Sequence, residues 1–190
     1  MARLIQWSNP IRLEKLTHVM KIRGVDVYVH WTVLAIAGFI LLNAVSRPVL
    51  TLIGLVCYFS VLLIHETGHL IVAQRRHSEV LSIKLYPIFG ITFFETPWSR
   101  LDHCLIAWGG VLAQAVVAIP LILWVEVFGF SRLEPLNEVF AILGFFSIGV
   151  ALFNLLPFPP LDGATAWGLF PALIDRARTG GRRNRMDWRR

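Results

Sequence analysis

His65-Glu66-Thr67-Gly68-His69 places two imidazoles and a carboxylate within about one helical turn, inside an apolar stretch covering residues 49–73. On a helix His65 and His69 are i and i+4. Both rings therefore project from one face, at a separation that lets them grip one tetrahedral zinc ion. Glu66 lies on the flank of that face, where it can take a proton from water at the metal and pass it to a leaving amine. In a chain with six His and seven Glu the pattern arises by accident in about one case in a hundred or fewer. The bland explanation is a pair of neutral histidines hydrogen-bonded inside a helix bundle. Three ionisable groups in one turn of an apolar helix are expensive, however, and mark function.

A second group, Asn154-Leu155-Leu156-Pro157-Phe158-Pro159-Pro160-Leu161-Asp162-Gly163, joins two polar side chains to three prolines. Those prolines cannot all sit in a continuing helix, so the backbone must open there. At membrane depth, open backbone is tolerated only where it lines protein or a water-filled cavity. Asp162 follows the break and is the natural third ligand, leaving the fourth position for water. Either polar residue alone reads equally as a cap on a helix end. Both at the depth of the pentad favour a shared site.

The elements that must carry these residues follow from composition. The chain is 56% hydrophobic and 16% charged, with mean hydropathy +0.63, whereas a soluble domain carries roughly 25% charged residues. It reads as an integral membrane protein. Four stretches, 29–45, 49–73, 105–128 and 139–156, approach the length of about 20 residues that a span needs. A fifth, 161–174, is short and reads as a re-entrant or interfacial helix. No cleavable signal peptide is recognisable, because the first 24 residues mix charges with scattered apolar side chains.

The 18 Lys and Arg set the orientation. All but Arg47 and Arg132 fall before the first span, in the connection spanning 74–104, or after Ile174, so both termini and that connection are expected in the cytoplasm. Residues 1–28 then form a cytoplasmic N-terminal segment, 29–174 the membrane core and 175–190 a basic tail attracted to anionic lipid. The net charge of +6 needs no nucleic acid partner. His65 lies 17 residues beyond Pro48, roughly 25 Å along an inward-running helix. That puts the site in the cytoplasmic third of the bilayer. Asn154 has the same offset in the fourth span.

His65-Glu66-x-x-His69 together with Asn154-x-x-Pro157-x-Pro159-x-Leu161-Asp162-Gly163 resembles the site-2 protease family of intramembrane zinc metalloproteases, over residues 22–173. The resemblance implies zinc held by His65, His69 and Asp162, with Glu66 as catalytic acid and base. It also implies that Asn154 binds the scissile carbonyl or its oxyanion. Family members often carry Gly-Pro-x-x-Asn in the third core helix. Here the matching place is Gly110-Val111-Leu112-Ala113-Gln114, which makes Gln114 a candidate substrate contact or a glutamine tucked into helix packing.

Residues 79–85 and 91–95 read as a β-hairpin around Pro87 and Gly90, whose edge could hold an unwound substrate segment. Residues 19–23 and 26–29 are candidates for two further strands. Cys57 and Cys104 lack metal-site spacing and read as apolar fillers. His30 reads as an interfacial anchor, and Asp102-His103 could sit behind the metal ligands. With no internal repeat, the chain reads as a bare catalytic core.

The expected fold is an all-α integral membrane protein: a bundle of four transmembrane helices plus a short C-terminal helix, with a small cytoplasmic β-hairpin or sheet. The expected function is zinc-dependent hydrolysis, with one Zn²⁺ per chain, of peptide bonds in transmembrane protein substrates, including substrates already cut by another protease. The lipid bilayer is the other partner. Two other classes use the same ligands: a non-catalytic zinc-binding escort, and a metal transporter.

Overall fold

The computed structural model describes residues 16–87, 90–95, 97 and 99–178. Expectations for residues 1–15 and for 179–190, which include most of the basic tail, lie outside the described residues.

Alternating valines set the sheet. In β2 (Val25–His30), Val25, Val27 and Val29 point inward while the residues between them are half exposed, the period of a strand buried on one face. β1 (Leu16–Ile22) pairs antiparallel with β2 through the two-residue turn Arg23-Gly24. Both turn residues have positive φ, the geometry that matches the twist of a two-residue hairpin. β3 (Val80–Leu85) and β4 (Gly90–Phe94) form the second hairpin. The two hairpins join through a parallel β2–β3 pairing, giving the order β1-β2-β3-β4 with β1 and β4 at the edges. A parallel pairing needs a long crossover, which here consists of two helices.

The first of these is α1 (Trp31–Leu41), followed by the 3₁₀ turn Leu42–Val45. His30 caps α1 by accepting from the Thr32 N–H. The stretch expected as the first span is therefore shorter than its hydropathy suggested, because Val29 and His30 belong to β2. What remains rises about 24 Å, short of the ~30 Å hydrocarbon core. Three helices among the described residues are long and apolar enough to cross a membrane: α2 (Pro48–Arg75), α3 (Arg100–Phe128) and α4 (Glu134–Asn154). α4 contains a π-helical segment, Phe140–Phe146, and stops before the proline run.

On α3, Leu112, Val116, Ile119, Leu123 and Val127 form an exposed stripe at helical spacing. Such an outward apolar face fits lipid and would be a liability in water. The expected fifth helix is split into α5 (Gly163–Ala166) and α6 (Leu169–Arg178). On α6, Phe170, Leu173 and Ile174 are exposed.

The sheet's valine face, with Ile83 and Leu85, packs on Leu62, Leu70 and Ala73 of α2 and Ile106 of α3. The core thus sits where the sheet meets the second half of α2, around the histidine pentad. Cys57 and Cys104 are buried free thiols, as filler cysteines should be.

Candidate metal centre

α2 and α3 touch along glycines. A Cβ on Gly68 would overlap the backbone of Gly109 and the Ala113 side chain, and a Cβ on Gly109 would overlap Gly68. Small residues at these positions let the two backbones approach closely. The contact brings the pentad of α2 against the middle of α3. The cap of α3 fixes its start: Ser99 accepts from the Asp102 N–H and donates to the Asp102 carboxylate, which also pairs with Arg76 at 3.0 Å, just past the end of α2.

His65 and His69 are both buried. His69 Nδ1 donates to the Ile106 carbonyl at 2.7 Å, and His65 Nδ1 lies 2.8 Å from Gln114 Oε1. With the Nδ1 positions carrying the protons, both Nε2 atoms turn lone pairs toward Asp162. His65 Nε2 is 2.9 Å and His69 Nε2 3.2 Å from Asp162 Oδ2, and the two Nε2 atoms are 3.1 Å apart. Three acceptors facing one another repel unless a cation sits among them. Edges of 2.9 to 3.2 Å are close to the ~3.3 Å that a tetrahedral site with bonds of about 2.0 Å requires. Gly110 completes the fit, since a Cβ there would overlap His69 Nε2 and the His65 ring. Two imidazoles and a carboxylate are also the ligand chemistry of catalytic zinc. Among the described residues, His65, His69 and Asp162 are the group able to hold a metal ion.

Asp162 reaches the histidines because the proline loop is pinned at both ends. Trp167 Nε1 donates to the Leu155 carbonyl and Trp108 Nε1 of α3 to the Ala166 carbonyl. Gly163 lies against the Leu155 and Leu156 carbonyls, leaving no room for a Cβ. The N–H groups of Thr165 and Ala166 donate to the Asp162 carbonyl, so its backbone is held as the start of α5.

Glu66 is 1% exposed and Thr92 Oγ1 donates to its Oε2 at 2.6 Å. Gly90, two residues earlier on the same face of β4, lies against the Glu66 carboxylate so closely that a Cβ would overlap it. A cavity of ≈ 170 Å³ opens beside Glu66, His69 and Asp162, walled by Thr92 of β4 and His103 of α3. The sequence did not single out Thr92 or assign Gly90 a role at the carboxylate. Neither carries a motif, and only the fold brings β4 over α2.

Asn154 is buried at the end of α4, where its Nδ2 donates to the Val150 carbonyl of its own helix. It does not line the cavity beside Glu66. Gln114 is fully enclosed against His65. His103 lies on the cavity wall, whereas its neighbour Asp102 is engaged by Arg76 and Ser99. His18 pairs with Asp26 on the sheet.

No family model matches the chain. Over 134 residues it is 31% identical to a Synechocystis sp. protein described as "Putative zinc metalloprotease sll0528", a match covering 67% of this chain and 34% of that protein. The chain thus spans about a third of the length of the curated relative it matches. Its fold is similar to that of the Site-2 Protease from Methanocaldococcus jannaschii, with a TM-score of 0.67 and 20% identity, covering 89% of this chain and 74% of the other.

Proposed function

We propose that this chain, which belongs to the site-2 protease family, is an intramembrane zinc metalloprotease that hydrolyses peptide bonds of membrane-embedded protein substrates. The observation that carries the reading is the convergence of His65, His69 and Asp162 donor atoms beside a buried Glu66, on a helix long and apolar enough to lie in lipid.

His65 Nε2, His69 Nε2 and Asp162 Oδ2 would hold the metal. When bound, zinc supplies a Lewis acid that polarises the scissile carbonyl and makes water acidic enough to deprotonate near neutral pH. Glu66 takes the proton from the attacking water and gives it to the departing nitrogen. To do so its carboxylate exchanges the Thr92 hydroxyl for water, both being donors to the same oxygen. Asn154 would release the Val150 carbonyl and turn its amide N–H toward the oxygen on which negative charge develops.

A helical substrate has no free peptide carbonyl to offer and must unwind first. In this reading β4, an edge strand and one wall of the cavity, holds the unwound segment by backbone pairing. The sheet end of the bundle then lies on the cytoplasmic side, where the positive-inside rule puts the basic connections. Substrates in this reading are transmembrane proteins, including those already shortened by another protease, as in regulated intramembrane proteolysis.

Purified Glu66→Gln should keep its zinc and lose cleavage of a transmembrane substrate in proteoliposomes by about 10²–10⁴-fold, the scale of general acid–base catalysis. Proteolysis retained by that variant would sink the mechanism. An unchanged cellular phenotype would instead favour a zinc-binding escort, and zinc flux across the proteoliposome membrane a transporter.

A further inference from the structure

The two imidazoles are anchored by acceptors of different kinds. His69 Nδ1 meets the backbone carbonyl of Ile106, an atom that can only accept. In the neutral ring the proton is therefore on Nδ1, which leaves the Nε2 lone pair for a metal. His65 Nδ1 meets a side-chain amide, that of Gln114, and an amide has an accepting end and a donating end. Which end faces the ring decides the tautomer. With Oε1 toward the ring, Nδ1 carries the proton and Nε2 offers its lone pair to the metal position. With the –NH₂ toward the ring, Nδ1 becomes the acceptor, the proton moves to Nε2, and His65 cannot ligate.

The structure has Oε1 facing the ring, at 2.8 Å. The arrangement carries a cost, because Gln114 is 0% exposed and its Nε2 is buried without a hydrogen-bond partner. A buried donor left unpaired is destabilising, whereas an apolar side chain of the same shape would leave none. The fold therefore keeps a polar side chain whose accepting end prepares a ligand and whose donating end has nothing to bond.

We infer that Gln114 is a positioning residue that sets the tautomer and ring orientation of His65, and through it the affinity of the site for zinc. This rests on the metal-site reading above and goes beyond it, since it gives the glutamine a task directed at the metal ligand. Groups behind metal-bound histidines commonly have this effect, and their removal costs about 10–100-fold in metal affinity.

The test uses the full chain purified in detergent, with zinc affinity measured by chelator competition and the melting temperature measured on metal-free protein. Gln114→Met and Gln114→Leu remove the acceptor in two shapes, and Gln114→Glu keeps it. Zinc dissociation constants should rise about 10–100-fold in the Met and Leu variants and stay at or below the native value in the Glu variant. The metal-free melting temperature of the apolar variants should not fall, because they also remove the unpaired amide. A packing role alone would lower that temperature and would not be rescued by Glu.

Stoichiometric zinc binding by the native chain together with native affinity in both apolar variants overturns this inference and leaves the metal site standing. Weakening by Glu as large as that by Met overturns it too. A native chain that takes up no zinc overturns the metal-site reading and this inference with it.

Discussion

On its α3 side, α2 lies so close to its neighbour that a Cβ on Gly68 or Gly109 would overlap the other helix, and Gly110 leaves the space that the histidine rings fill. On its α4 side the same helix is close at Gly54, which lies against Glu138 and Ile142, but stands off farther along. Tyr58, Val61 and Leu62 face Phe146, Gly149, Val150 and Phe153 across an apolar gap of ≈ 480 Å³, and Pro87 of the β3–β4 turn lines one part of it. There the Tyr58 hydroxyl donates to the Pro87 carbonyl at 2.6 Å, tying the hairpin to the helix. Under the proposed function the two sides answer different demands. Metal ligands must be fixed to within a fraction of an ångström, which a backbone-to-backbone contact achieves. A site that admits a peptide needs room beside it, which the apolar gap supplies.

Disturbing the close side should have the largest effect. Gly68→Ala forces α2 and α3 apart, so we expect loss of zinc and of activity together, with about 1–3 kcal/mol less stability, read by metal analysis and thermal unfolding. Zinc retained at full stoichiometry would show that the glycine contact is not what fixes the ligands. Next comes the wall over Glu66. Gly90→Ala puts a methyl group into the carboxylate, and we expect unchanged zinc with cleavage lower by about 10²-fold, the scale of a misplacement near 1 Å. The smallest effect belongs to the open side. Tyr58→Phe removes one hydrogen bond, worth about 0.5–1.5 kcal/mol, and should raise KM a few-fold with zinc content and kcat unchanged. Zinc loss in that variant would mean the two sides of α2 are not independent.

Much of this design was legible in the chain because it is local. The i, i+4 pair needs only a helix, and the composition of residues 49–73 ensures one. The four strands were legible from period-2 runs and turn residues, and the structure forms all four. The parallel joining of β2 to β3 was not, since strands separated by two helices carry no local mark of their pairing. Hydropathy placed the start of the first span too early. Val29 is apolar for the sake of the sheet core, and an average over apolar residues cannot tell that burial from burial in lipid. The single C-terminal helix divides at Trp167-Gly168, where the Trp167 indole is committed to the Leu155 carbonyl.

By itself the sequence determined the solvent, the candidate metal-binding pair, the carboxylate beside it and the need for broken backbone near Asp162, because each follows from composition or from spacing within one element. Only the tertiary structure decided that Asp162 Oδ2 comes within 3.2 Å of both histidines, that Gln114 backs His65, and that Gly90 and Thr92 close over Glu66. Those neighbours lie on different elements, between 24 and 97 residues away along the chain. Close packing of glycine-lined helices and a sheet folded onto α2 brings such distant residues to hydrogen-bonding distance, and no local pattern encodes that distance.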